Sequence, residues 1–151
     1  LPYRNKIITS TALFFAGGGT NSAPPAYSAQ NLGKITLIKA VEMLDSEITN
    51  LKVSILGPGW VNTKIHNATL DAKEEAVGNY QKTKYMLEKP SLMNPITKVV
   101  DDINTLISLP KSLVGGRNFS SVHDKLTKEN LSRLKKLDTS FYKLRRCLND
   151  A

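Results

Sequence analysis

The sequence predicts an α/β protein built on a parallel β-sheet. Short runs of apolar and β-branched residues alternate along the chain with longer segments of helical periodicity. Strands that are joined through long helices form right-handed crossovers, and such crossovers place neighbouring strands parallel. With 151 residues, the chain has the length of a single domain.

Three segments are predicted strands: Lys6–Ser10, Leu51–Leu56 and a region within 112–122 that includes Phe119–Val122. The first is a β-branched, apolar run, which is typical of a parallel strand buried on both faces. The second ends at Gly57-Pro58-Gly59, a sequence that neither strand nor helix tolerates well.

The predicted helices span Tyr27–Thr49, 68–88, 95–109 and Thr127–Lys136. Apolar residues recur at helical spacing in the first of them. Pro90 ends the second helix, and Asn94-Pro95 resembles a cap followed by a proline in the first turn of the third.

Three parallel strands make an incomplete sheet, because parallel strands need neighbours at their edges and helices on both faces. The first strand would have a bare edge. We therefore expect further strands, either N-terminal to Lys6 or supplied by another chain.

Charge and composition restrict the expected partners. The formal net charge is +8, but the lysines are interleaved with Asp and Glu along predicted helices, as on solvated helix faces, so we expect no nucleic acid and no membrane as partner. No apolar run is long enough to span a bilayer.

The single cysteine, Cys147, cannot form an internal disulfide and indicates a reducing, cytoplasmic location. His66 and His123 lack a ligand cluster, so no metal site is expected.

Several motifs follow one another in the predicted structural context. Tyr27 opens a helix after a strand and a glycine-rich loop, and Gly115-Gly116-Arg117 precedes the last strand. Between them, a strand is followed by Pro58-Gly59-Trp60-Val61-Asn62-Thr63. In this order and spacing the motifs resemble the short-chain dehydrogenase/reductase family. The resemblance implies a Rossmann-like, doubly wound α/β fold, with residues 1–151 as the C-terminal part of one domain and its N-terminal strands outside this chain.

The resemblance also implies an oxidoreductase that uses NAD or NADP and acts on a small carbonyl or alcohol substrate. In that family a tyrosine hydroxyl transfers the proton, and a lysine four residues later lowers the tyrosine pKa and binds the cofactor ribose. Tyr27 would be this acid and would also contact the cofactor. The turn residues that would border the nicotinamide are Pro58, Gly59, Val61 and Thr63.

The catalytic positions depart from the family pattern. Asn31 stands where the family has its lysine, and its amide can bond a ribose hydroxyl but carries no charge. The position of the family's serine falls on Phe14 or on Ala16, and Ser10, at the end of the first predicted strand, is the remaining candidate. Lys34, about 10 Å further along the helix than Tyr27, is an alternative source of charge. We therefore expect a weak or inactive oxidoreductase.

A second interpretation stays open, namely a non-catalytic dehydrogenase-like protein that binds a nucleotide or serves as an assembly subunit. The family assembles through long helices, which implies a homo-oligomer here. The residues expected at that contact are Leu37, Leu44 and Ile48, with Val77 or Tyr80 from the next long helix.

Overall fold

The structure, a computed structural model, describes residues 10–17 and 26–145. Within these ranges, three parallel strands form an open sheet in the order β1-β2-β3, with β1 at Ser10–Phe15, β2 at Leu51–Gly57 and β3 at Asn118–Ser120. β1 pairs with β2 along its whole length, whereas β3 pairs only with the last three residues of β2. The prediction of an α/β protein with a parallel sheet is confirmed.

The helices are α1 (Ser28–Glu47), α2 (Asn67–Ala72), α3 (Gly78–Glu88), α4 (Ile96–Ser108), α5 (Lys111–Val114) and α6 (Lys128–Ser132). Shorter 3-10 turns cover Lys64–His66, Lys73–Ala76, Pro90–Leu92 and Arg133–Lys136. Among these helices, none combines the length and apolarity that crossing a bilayer would require.

Alternate residues of β2 face opposite layers of helices. Val53 and Ile55 pack against α1, in a cluster that also contains Ile38 and Val41. Leu56 belongs to the larger cluster on the other face, which gathers residues of α4, α5, β3 and α6. Because helices cover both faces, β2 is buried without interruption from residue 52 to residue 56.

Two polar side chains of this buried strand bind the ends of neighbouring helices. The Lys52 ammonium donates hydrogen bonds of 3.3, 2.6 and 2.8 Å to the carbonyl oxygens of Leu106, Ile107 and Leu109. The Ser54 hydroxyl donates at 2.8 Å to the last carbonyl of α5. The final carbonyls of a helix lack intrahelical donors, and they carry partial negative charge. Lys52 and Ser54 therefore provide hydrogen-bond donors, from within the sheet, to the carbonyl oxygens at the ends of α4 and α5.

The prediction that the first strand ends at Ser10 is wrong. Ser10 begins β1, and residues 6–9 of the predicted strand lie outside the described part of the chain. The physical reason is that the apolar residues after Ser10 continue the pairing with β2, up to Phe15 opposite Leu56.

The predicted third strand is also too long. Its first part, residues 112–114, lies in the helical turn α5, which begins after Pro110. Leu113 and Val114 are fully buried there against the sheet, so an apolar run that resembled a strand instead serves as a packing turn. Within the predicted third strand, the residues that pair with β2 are Asn118–Ser120.

The helix predicted over 68–88 is interrupted twice. Lys73 and Val77 adopt positive φ angles of 46° and 52°, which separate α2 from α3. The two helices then pack against each other, and Ala76 and Thr83 are buried. The packing of α2 on α3 as a helical hairpin therefore overrides the helix propensity of the residues between them.

Candidate functional site

The carboxyl ends of the strands bring most of the predicted site residues to one edge of the sheet. Tyr27 follows β1, the turn from Pro58 to Thr63 follows β2, and Ser121 follows β3. In open parallel sheets, ligands bind in the crevice at this edge.

Tyr27 is the N-cap residue of α1 and is half-buried. Its hydroxyl forms a short hydrogen bond with the hydroxyl of Thr69 in α2. Its carbonyl accepts a hydrogen bond of 2.9 Å from the backbone N–H of Asn31, so Asn31 lies one helical turn further on. In the described part of the chain, the bonding partner of the phenol is thus a neutral hydroxyl, not a cation.

Lys34 directs its ammonium group to the end of β1. Its Nζ donates a hydrogen bond of 3.1 Å to the carbonyl oxygen of Phe15, the last residue of that strand. The positive charge therefore lies at the carboxyl edge. Over the described residues, Lys34 makes no hydrogen bond with Tyr27, whose hydroxyl is turned toward Thr69.

The structure separates Ser10 from the other candidates. Ser10 lies at the amino end of β1, and the strand is roughly 17 Å long at about 3.3 Å per residue. Its hydroxyl is therefore at the opposite edge of the sheet from Tyr27. Ala16 is buried directly after β1, where its backbone N–H donates to Leu56 at 3.0 Å, and Phe14 lies within the strand. None of these residues brings a hydroxyl to the carboxyl edge.

The turn after β2 is fixed by Asn94. The Asn94 side chain donates to the carbonyl of Pro58 at 2.7 Å, and its backbone N–H donates to the carbonyl of Trp60 at 2.7 Å. Asn94 was expected to cap α4, but the cap position belongs to Pro95, and the amide of Asn94 is used for the turn. Gly59 has a φ of 75°, which explains why the turn needs glycine.

His66 holds the far side of the same turn. Its Nε2 lies 2.9 Å from the carbonyl oxygen of Val61, which is buried, and its ring stacks on Trp60 with centroids 5.0 Å apart. Lys82 places its ammonium 5.8 Å from the Trp60 ring centroid. No role in this turn was predicted for His66. Its spacing of six residues from Trp60, across the Pro-Gly turn, was too weak a signal to predict the stack.

Two polar side chains of the turn after β2, those of Asn62 and Thr63, are exposed at this edge. Thr63 is exposed, and its side chain makes no capping bond to the 3-10 turn that follows. Asn62 is exposed beside it, and a shallow cleft of about 230 Å³ lies between this turn and the start of α4. The cleft is lined by Val61, Asn62, Pro90, Met93, Asn94, Pro95 and Ile96. It has no charged side chain in its lining.

A buried polar network stands at the end of β3 and was not predicted. The Ser121 hydroxyl donates to the carboxylate of Asp102 at 2.6 Å, and Lys98 donates to the same carboxylate at 2.8 Å and to the Ser121 carbonyl at 2.5 Å. The spacing of four residues places Lys98 and Asp102 on the same face of α4, where they form an ion pair. No local sequence pattern indicated that the Ser121 hydroxyl would also bond to the Asp102 carboxylate. Because Ser121 is fully buried, this network positions the strand end and does not offer a nucleophile.

Acidic and imidazole groups do not gather into a metal site within the ranges described, residues 10–17 and 26–145. Asp124 instead accepts the backbone N–H of Ser120 at 2.7 Å. Burial raises the pKa of the Asp124 carboxyl, and the hydrogen bond from Ser120 opposes that rise. Asp124 thus acts as a local cap to the turn after β3.

No protein-family profile matches the chain, and no curated protein matches it at a significant level.

Proposed function

We propose that this protein is a dehydrogenase-like protein of the short-chain type that binds NAD or NADP at the carboxyl edge of its sheet and turns over a small carbonyl or alcohol substrate slowly or not at all. The sheet would be part of a Rossmann-like, doubly wound domain, in which further strands lie beside the open edge of β1. The protein would act in the cytoplasm as a homo-oligomer.

The proposal of weak turnover rests on the partners of the Tyr27 phenol and of the Lys34 ammonium. Tyr27 bonds to Thr69, while the Lys34 ammonium bonds to the end of β1. A free phenol has a pKa near 10, and a general acid or base works best when its pKa lies near the working pH. Asn31, one turn from Tyr27, is neutral and brings no positive charge to the phenol. The residue best placed to transfer a proton therefore lacks the partner that would tune it.

The same edge retains groups that suit binding. A nicotinamide nucleotide presents a ribose diol and a carboxamide, and it supplies the hydride when a reaction occurs. Asn31 and Lys34 can donate hydrogen bonds to hydroxyl oxygens, and the exposed Thr63 hydroxyl can donate to or accept from an amide. The fixed turn around Val61 keeps Thr63 in place without using its side chain. These groups fit cofactor binding better than they fit proton transfer.

A titration with NADH and NADPH tests binding and turnover separately. Saturable enhancement of nicotinamide fluorescence is expected for the wild-type protein, with turnover of simple ketones close to background. Lys34→Met should weaken binding by about tenfold, which corresponds to one charge-assisted hydrogen bond of roughly 1.5 kcal/mol. Lys39→Met is the matched control, since Lys39 is an exposed lysine of the same helix that bonds Glu42 and not the end of β1. Equal affinity for the wild type and Lys34→Met would remove Lys34 from the site.

Restoring the missing charge tests the reason for weak turnover. Asn31→Lys should raise the turnover rate, because acid–base catalysis typically contributes a factor of about 10² to 10⁴. If the wild type already turns over rapidly and Asn31→Lys gives no gain, another group supplies the charge and this account of Asn31 is wrong.

The second candidate function, an assembly subunit, is favoured by exposed apolar residues on α1. Leu32 and Met43 are 66% and 53% exposed, and Ile35 is 36% exposed. Two residues expected at an oligomer contact, Leu37 and Leu44, pack instead against the cluster between α1 and the sheet. Sedimentation at micromolar concentration distinguishes this function: an assembly that Met43→Glu dissociates, without any nucleotide binding, would favour it over the first proposal.

A further inference from the structure

A basic and apolar patch lies near the C-terminal end of the described chain. We define this patch by Arg133, Lys135, Lys136, Leu137 and Phe141. The three basic residues are exposed, and Leu137 and Phe141 are 43% and 47% exposed. Cations and apolar side chains are thus presented to solvent within nine consecutive residues, 133–141.

The protein core holds this patch in a defined conformation. Leu134, within the same 3-10 turn, is buried in the main cluster. The backbone of Phe141 is anchored from inside, because the buried guanidinium of Arg117 donates to its carbonyl oxygen. The N–H of Asn118 likewise donates to the carbonyl of Tyr142 at 2.8 Å. The Phe141 ring therefore remains partly exposed on a backbone that β3 and the residue before it fix in place.

The surrounding charge is strongly positive. Residues 125–145 contain seven basic and two acidic side chains, a net charge of +5 over 21 residues. Lys143 and Arg145 are bound to Glu42 of α1. By contrast, the ion pairs found among the described residues do not include the three cations of the patch. Their charge is available to a partner.

We propose that this patch docks on an anionic lipid bilayer surface. Lysine and arginine near such a surface are attracted to acidic headgroups, while adjacent apolar side chains insert at the boundary of headgroups and acyl chains. Leu137 favours a bilayer over nucleic acid, because an aliphatic side chain has no stacking role on a base. The sequence-based expectation of no membrane partner rested on lysines interleaved with acidic residues along predicted helices, whereas residues 133–141 hold three basic side chains and one acidic side chain.

Vesicle sedimentation tests the proposal with the protein as it exists. Binding is expected to vesicles of phosphatidylcholine with 30% phosphatidylserine, as a chosen composition, and not to pure phosphatidylcholine. Lys135→Glu combined with Lys136→Glu should weaken binding by at least about 25-fold, at roughly fivefold for each charge lost. The matched control is Lys64→Glu combined with Lys84→Glu, which makes the same change of net charge at two exposed lysines outside the patch. Equal losses in the two double variants would show that net charge alone acts, and would overturn the proposal.

Two further measurements separate insertion from other forms of binding. In a Trp60→Phe background, Phe141→Trp should shift its emission to shorter wavelength when anionic vesicles are added, because the indole enters the interface. Phe141→Ser should lower vesicle binding by several-fold at high salt, where charge is screened. The absence of an emission shift, or tighter binding to single-stranded oligonucleotides than to vesicles, would contradict a bilayer as the partner.

Discussion

Replacement of Lys52 by methionine tests how the buried sheet is joined to α4. Lys52 is 5% exposed, and its ammonium donates hydrogen bonds to three carbonyl oxygens at the end of that helix. Methionine keeps most of the side-chain volume but leaves these oxygens without the donor. Burial lowers the pKa of Lys52, which shows that the charged form is held at a cost.

The expected loss of stability follows from these two opposing effects. Three hydrogen bonds from a charged donor, at about 2 kcal/mol each, give a gross contribution of about 6 kcal/mol. Desolvation of the ammonium offsets several kcal/mol of that sum. Lys52→Met should therefore lower the free energy of unfolding by about 3 kcal/mol.

Urea unfolding monitored by circular dichroism measures this loss at neutral pH. Lys135→Met is the control, since it makes the same chemical change at an exposed lysine and should alter stability by less than about 0.5 kcal/mol. If Lys52→Met costs less than about 1 kcal/mol, water or neighbouring groups satisfy the carbonyls and the assigned role of Lys52 is wrong.

Three more perturbations test other parts of the fold. The hydrogen bond from Arg145, aided by Lys39, lowers the pKa of Glu42 from 4.5 to about 2. The stability that Glu42 provides should therefore be present above about pH 4.5 and lost as the pH falls toward 2. Glu42→Gln should abolish this pH dependence in thermal melts, and an unchanged profile would refute the pairing. Gly59→Ala should cost roughly 1–2 kcal/mol in urea unfolding, because it forces a side chain into positive φ, and a neutral effect would show that the turn relaxes. Ser121→Ala should cost about 1–3 kcal/mol, because it removes a donor from a buried carboxylate, whereas no cost would mean that the network is dispensable.

The fold class could be predicted because it depends on periodicity. The apolar stripe that predicted a helix over Tyr27–Thr49 appears as α1, and the run that predicted a strand over Leu51–Leu56 appears as β2 with one further residue. In α1 the middle of this stripe, Ile38, Val41 and Leu44, packs against the sheet, whereas Leu32 and Ile35 are exposed. Periodicity could not predict the breaks at Lys73 and Val77, because they result from packing of α2 on α3.

The site was only partly predictable for a related reason. Parallel strands align their carboxyl ends, so Tyr27 and the turn from Pro58 to Thr63, which follow β1 and β2, lie at the same edge of the sheet. The hydrogen bond from Tyr27 to Thr69 connects residues 42 positions apart, and no local pattern indicates such a contact. Ser10 was misplaced because the apolar run beyond it extended the strand.

Turnover by the complete protein, measured together with nucleotide binding, tests the central claim most directly. Wild type and Tyr27→Phe should both bind NADH or NADPH saturably, because Asn31, Lys34 and Thr63 remain to bind the nucleotide when the phenol hydroxyl is removed. Wild-type reduction of simple ketones should remain at least about 100-fold below the range of ~1 to 10³ s⁻¹ that enzymes commonly reach. Turnover within that range, abolished in Tyr27→Phe, would contradict the account and show that Tyr27 is an effective acid without a charged partner at Asn31.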